Sequence, residues 1–176
     1  PMGGDTAATV GQLAQLMQAH IPANDPLVEY PNLLAASEAS HKVLSGMLTG
    51  SIDAVLRTEA GQFLVVDYKT NRLAPSPDDV LTLGHYTQAA MAHAMMAAHY
   101  PLQAICYSAA LHRYLSVRLP GYVPEQHLGG VGYLFIRGMA GPTTPLIDGH
   151  TCGVFSWYPS PDLVVAVSDL LGGPHA

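Results

Sequence analysis

Two acids and a lysine stand in stretches that otherwise read as β-strand: Asp53 in "SIDAVLR", and Asp67 with Lys69 in "FLVVDYK". Strand alternation puts Asp67 and Lys69 on one face and Tyr68 on the other. If the two stretches pair across "TEAGQ" as a hairpin, Asp53 shares the Asp67 face. Two carboxylates facing each other near a sheet core repel, so they need a shifted proton affinity or a cation between them. Hard oxygen ligands of this kind suit Mg²⁺ or Mn²⁺. A lysine beside such a metal can hold a water, help deprotonate it, or stabilise negative charge on a phosphate. The plainer reading is a buried ion pair in which Lys69 neutralises an acid. Gln103 and Tyr107, four residues apart in a helical stretch, share a face. They flank the apolar stripe of Leu102, Ile105, Cys106 and Ala109, and can donate hydrogen bonds to phosphate oxygens. Alone, they are ordinary half-buried polar residues of a helix.

The elements that must position these groups follow from periodicity. "TAATVGQLAQLMQAHIP" (residues 6–22) has Val10, Leu13, Leu16 and Met17 at helical spacing, with Thr9 or Thr6 as cap and Pro22 as stop. Residues 25–40 read as a short helix or loop. From residue 42 to 57 the chain turns strand-like, Ile52, Ala54 and Leu56 alternating with Ser51, Asp53 and Val55. "FLVVDYK" reads as a central strand buried on both faces. "NRLAPSPDD" is a loop whose Asp78 or Asp79 caps a mostly helical stretch over residues 81–98. Tyr100-Pro101 opens another helix, ending near Pro120-Gly121. Residues 129–138 form a buried strand, 141–150 a loop, "CGVFSWY" a last short strand, and Ser160 caps a closing helix through residue 171. The order predicts an α/β fold with a mixed sheet. Residues 1–40 read as a helical lead-in and 41–176 as the core domain.

Composition narrows the function. The 176 residues suit one domain with a real core, and 49% of them are hydrophobic. Seven Lys+Arg against thirteen Asp+Glu give a net charge of -6, unlike the basic surface usual in nucleic-acid binders. There is no phosphate-cradling GxxxxGK[ST] or GxGxxG, no apolar run of membrane-spanning length and no signal-peptide pattern. The nine histidines are scattered, none paired at HExxH-type spacing, which favours packing roles. Cys106 and Cys152 are too few for a disulfide framework and fit a reducing, cytoplasmic setting. The chain opens Pro-Met-Gly-Gly, as expected of a piece of something longer.

The blocks "GMLTGSIDAVLR", "FLVVDYKTNRL", "HYPLQAICYSAALHRYL" and "HLGGVGYLFIRGM", in this order, closely resemble the nuclease domain of the RecB type. That family belongs to the D…(D/E)xK restriction-endonuclease-like superfamily. The firm likeness covers residues 44–139, with a looser match over the first helix and the "CGVFSWYPSPDLVVAVSDLL" tail. The resemblance implies a restriction-endonuclease-like core. Asp53 and Asp67 would be the metal-binding acids, the Tyr68 backbone carbonyl a further ligand, Lys69 the catalytic lysine, and Gln103 and Tyr107 the family's QxxxY pair. The implied chemistry is Mg²⁺-dependent hydrolysis of DNA phosphodiesters, with Mn²⁺ as substitute, in double-strand-break repair, recombination and foreign-DNA degradation. RecC- and RecD-type subunits and a RecA-type recombinase are the implied partners, with motor and partner subunits gripping the DNA. Lys69, Arg72, Arg113 and Arg137 are candidates for a local phosphate path. The family's metal-binding histidine lies on a helix well before the first strand, and neither His20 nor His41 matches it. The competing expectation is therefore a catalytically incomplete domain that serves as a protein-interaction module.

Overall fold

Thr9 and Gln12 start the first helix. In the computed structural model, which describes residues 8–44 and 50–172, the Thr9 hydroxyl accepts from the Gln12 N–H, and the Gln12 side chain accepts from the Thr9 N–H. This reciprocal box satisfies two otherwise orphaned donors and opens α1 (Val10–His20), whose Val10, Leu13, Ala14 and Met17 are buried. Pro22 follows the C-cap Ile21. Thr6, the other candidate cap, lies outside the described residues, as do residues 45–49 of the expected strand-like stretch. A second helix, α2 (Tyr30–Ala36), packs beside α1.

The sheet has four strands, in the order β1-β2-β3-β6. β1 (Ala54–Arg57) runs antiparallel to β2 (Phe63–Lys69), and β2 runs parallel to β3 (Leu128–Phe135). β6 (Val154–Trp157) closes the sheet antiparallel to β3. A parallel pair needs a long crossover, supplied here by α3 (Gln88–Ala97), α4 (Tyr100–Arg118) and α5 (Pro124–His127). The fold is α/β with a mixed sheet flanked by helices, as expected. α4 packs on β2 and β3, and α6 (Pro161–Gly172) packs on α4 and α1. Ser160 caps α6 by accepting from the Leu163 N–H. The core is aromatic where sheet meets helices: Tyr133, Phe135, Phe155 and Trp157 are almost fully buried. The Trp157 indole donates to the Asp25 carboxylate, which also accepts from the Leu27 N–H, and so ties the first helices to the sheet.

Four expectations are corrected. Residues 81–98 are helical only from Gln88, capped by the Thr87 hydroxyl, after a 3₁₀ turn at Leu83–His85 opened by Thr82. Ala- and Met-rich composition could not say which of several capping residues starts the helix. Asp78 and Asp79 therefore cap no helix; the Asp79 carboxylate accepts from the Ser76 N–H inside the preceding loop. β2 is buried on both faces only in its middle, at Val65, Val66 and Asp67; at its end Tyr68 is 52% exposed on the side away from α4. The segment 141–150 is more than a loop: β4 (Leu146–Ile147) and β5 (His150–Thr151) form a small hairpin. Its turn residues Asp148 and Gly149 both have positive φ, the backbone that a two-residue Asp-Gly turn provides.

Behind the sheet's end, the backbones of Gly138 and Gly153 meet under Tyr86. A Cβ at Gly138 would fall inside the Tyr86 side chain and within 2.9 Å of the Gly153 Cα. Gly138→Val should therefore lower stability by about 3 kcal/mol or more, beyond ordinary overpacking. A drop in the urea midpoint measures it; an unchanged midpoint means the ring has room to move.

Candidate active site

Three segments converge at one end of the sheet. β2 supplies Asp67 and Lys69 on the face that meets α4. Ala54 pairs with Val66 in the β1–β2 ladder, so Asp53, one residue before β1, falls at the open end opposite Asp67. Its carboxylate accepts from the Tyr68 N–H at 2.9 Å. The N–H and C=O of an extended residue point to the same side of a strand. The Tyr68 carbonyl therefore faces the same open end as Asp53. Asp53 is exposed and Asp67 buried.

Lys69 is held on three sides. Its Nζ lies 2.5 Å from Asp67 Oδ2, 3.1 Å from Gln103 Oε1 and 3.9 Å from the centroid of the Tyr100 ring. The ion pair of the plainer reading thus exists, and other groups surround it. Asp67 Oδ2 is buried and is the oxygen that meets the Lys69 ammonium.

α4 carries Tyr100, Gln103 and Tyr107 at helical spacing, so all three face the sheet's end. Chemistry fixes the Gln103 amide: its oxygen meets the donors of Lys69 and Tyr133, and its nitrogen donates to Tyr107 Oη at 3.0 Å. The Tyr107 hydroxyl donates to the Ser51 carbonyl at 2.6 Å. Gly50 permits this approach, because a Cβ there would sit 3.0 Å from the Tyr107 ring. Tyr133, the register partner of Asp67 on β3, divides its hydroxyl proton between the Tyr100 carbonyl at 3.1 Å and Gln103 Oε1 at 3.2 Å. Burial, and then the negative charge of Asp67, push the Tyr133 phenol well above the usual tyrosine range. It is a neutral donor at any physiological pH.

All five expected side chains, Asp53, Asp67, Lys69, Gln103 and Tyr107, meet in this cluster. The expected arginine path is corrected in part. Arg113 is turned away, its guanidinium bonded to the Ser168 hydroxyl and carbonyl on α6. Arg72 is spent inside its own loop, donating to the carbonyls of Ser76 and Asp79. Arg137 is exposed. Sequence reasoning missed Tyr100, Tyr133 and Asn71, the last of which accepts from the Tyr100 hydroxyl at 3.2 Å. Tyr100 was findable, three residues before Gln103 on the same helical face. Tyr133 was not, because its place beside Asp67 depends on the parallel register.

The donor set suits a divalent cation: the carboxylates of Asp53 and Asp67 and the Tyr68 backbone carbonyl at the open strand end. Among the described residues, no three His, Cys, Asp or Glu side chains cluster. Among those residues, the acids available to such a site are Asp53 and Asp67. No helix among the described residues is long and apolar enough to cross a membrane.

Residues 7–140 match the PD-(D/E)XK nuclease superfamily. The chain is 49% identical over 168 residues to the RecBCD enzyme subunit RecB of Mycolicibacterium smegmatis, covering 96% of this chain and 15% of that protein. Against the same subunit of Mycobacterium tuberculosis H37Rv, identity is 44% over 169 residues, with the same two coverages. Against that of Escherichia coli K12 it is 39% over 128 residues, covering 73% of this chain and 10% of that protein. The chain thus spans about 15% of the length of the mycobacterial relatives.

Proposed function

The chain belongs to the PD-(D/E)XK nuclease superfamily, and on that premise we propose that it hydrolyses DNA phosphodiester bonds at the end of β2 and β3. One observation carries the reading: Asp53 stands opposite Asp67 at the open end of the β1–β2 ladder with its carboxylate on the Tyr68 N–H, so two acids and the Tyr68 carbonyl converge beside Lys69. Mg²⁺, or Mn²⁺ in its place, would be held by Asp53, Asp67 and the Tyr68 carbonyl, and would polarise the phosphate and lower the pKa of a water. Lys69 then sets its positive charge beside the phosphate and the attacking water. Gln103 holds Lys69 through its oxygen. Tyr107 anchors Gln103 to the Ser51 backbone, which keeps the helix at a fixed distance from Asp53. The wall of buried Tyr133 and half-buried Tyr100 limits bulk water on the far side of Lys69, where its charge acts at lower dielectric.

The likeness to RecB subunits supports a place in a RecBCD-type helicase–nuclease. RecC- and RecD-type subunits would be its partners, a RecA-type recombinase would be loaded on its product, and double-strand-break repair in the cytoplasm would be its setting. Arms of the assembly outside this chain would grip the DNA, which accounts for a nuclease domain with a net charge of -6. A second reading, an interaction module without catalysis, draws on the lack of a third acidic or histidine side chain in the cluster among the described residues. Titration of the chain with Mn²⁺, followed by cleavage of linear DNA with and without EDTA, separates the two. Saturable binding at or below millimolar Mn²⁺ and EDTA-sensitive cleavage are expected. Absent binding, with no cleavage from the full-length subunit, would leave only the module.

A further inference from the structure

We propose that Tyr100 is a positioning residue for Lys69, using its ring face as the third acceptor of the ammonium group. The inference rests on the nuclease reading for its effect on rate, though not for its geometry. A lysine ammonium has three N–H donors and no acceptor. Here the three directions end on the Asp67 carboxylate, the Gln103 amide oxygen and the Tyr100 ring. The face of an aromatic ring carries negative potential, so an ammonium within about 6 Å of its centroid is attracted. At 3.9 Å the contact is close.

The ring is itself fixed. Tyr100 stacks on Tyr133, with centroids 5.8 Å apart and planes 13° from parallel. Its hydroxyl donates to Asn71 Oδ1 and its carbonyl accepts from the Tyr133 hydroxyl. Tyr133 lies 5.2 Å from Nζ and adds a second, weaker face. The consequence concerns division of labour. Asp67 is the one acceptor of the three that also belongs to the metal-binding set. When its oxygens turn to a cation, the lysine keeps two tethers, both from α4, and the third N–H becomes available to a water or a phosphate oxygen. Without the ring, Gln103 alone would hold a flexible four-carbon side chain.

The test uses the whole chain and reads position apart from rate. The chain has two lysines, Lys42 and Lys69, so ¹³Cε-lysine labelling gives two signals in the metal-free protein. The Lys69 ε-protons should lie upfield of those of exposed Lys42, because they sit over the rings, and should move downfield in Tyr100→Leu. Replacement of Tyr100 by phenylalanine carrying zero to three ring fluorines removes electron density from the face without changing shape. Cleavage kcat should fall stepwise along that series, by roughly 3- to 30-fold in total for a contact of this kind, with KM for DNA and Mn²⁺ affinity unchanged. Coincident lysine signals in the wild type, or a rate indifferent to fluorination, would overturn the proposal. If the wild type cleaves nothing, the nuclease reading fails and the lysine signals alone decide whether the ring holds Lys69. The fluorinated series keeps the proposal falsifiable should Tyr100→Leu fail to fold.

Discussion

Asp67→Asn should reduce metal-dependent DNA cleavage on the order of a thousandfold or more while leaving the chain folded. The substitution keeps the shape of the side chain and removes the charge. A metal ion at such a site supplies several kcal/mol of transition-state stabilisation, and each 1.36 kcal/mol is a factor of ten in rate. Asp67 is the buried carboxylate of the pair and lies against Lys69 at the strand end. Asp53, exposed and hydrogen-bonded to the Tyr68 N–H, should behave as the weaker partner when changed to Asn. Cleavage assays at saturating Mg²⁺, with circular dichroism to confirm folding, check both. Undiminished cleavage by Asp67→Asn would remove this carboxylate from the chemistry.

The second large effect concerns stability. Lys69→Met keeps the length and apolar body of the side chain and removes the only cation in contact with Asp67 among the described residues. Breaking one half of a buried ion pair commonly costs about 3–5 kcal/mol, because the remaining charge is left uncompensated. Both partners here are buried enough for that range to apply. In EDTA the variant should unfold at markedly lower urea than the wild type. Added Mn²⁺ should restore more stability to the variant than to the wild type, since a ligand stabilises in proportion to its binding. Equal urea midpoints in EDTA would mean that Asp67 is solvated well enough to stand alone. Cleavage should be lost in the variant even where Mn²⁺ restores its fold, which separates the lysine's two tasks.

The cluster was legible wherever local rules suffice. Strand alternation put Asp67 and Lys69 on one face, hairpin pairing brought Asp53 to them, and helical spacing aligned Gln103 with Tyr107. Thr9 and Ser160 were legible as caps because a hydroxyl just before an apolar stripe has few other uses. The rest depended on register and on competition between similar signals. Tyr133 reaches Asp67 only through a parallel pairing that no local pattern encodes. The start of α3 was read at Asp78 or Asp79, whereas the Thr87 hydroxyl caps it, and several capping residues in a row leave no local rule to choose between them. The Asp148-Gly149 hairpin carried a readable turn signal, but its strands are two residues each, too short for alternation to show.

The parallel pairing of β2 with β3 also bears on how the cluster comes into being. The two strands are joined by everything from residue 70 to residue 127, so a long stretch of chain must be ordered before Asp67 finds Tyr133. Contacts of such large sequence separation form late and slow folding. Asp67, Gln103 and Tyr133 then lock together in the same event that completes the core. Nothing smaller than the domain can carry this cluster, and nothing short of its unfolding should take it apart. The amide protons of Val65 to Asp67 should accordingly exchange with solvent only through global opening, among the slowest in the chain.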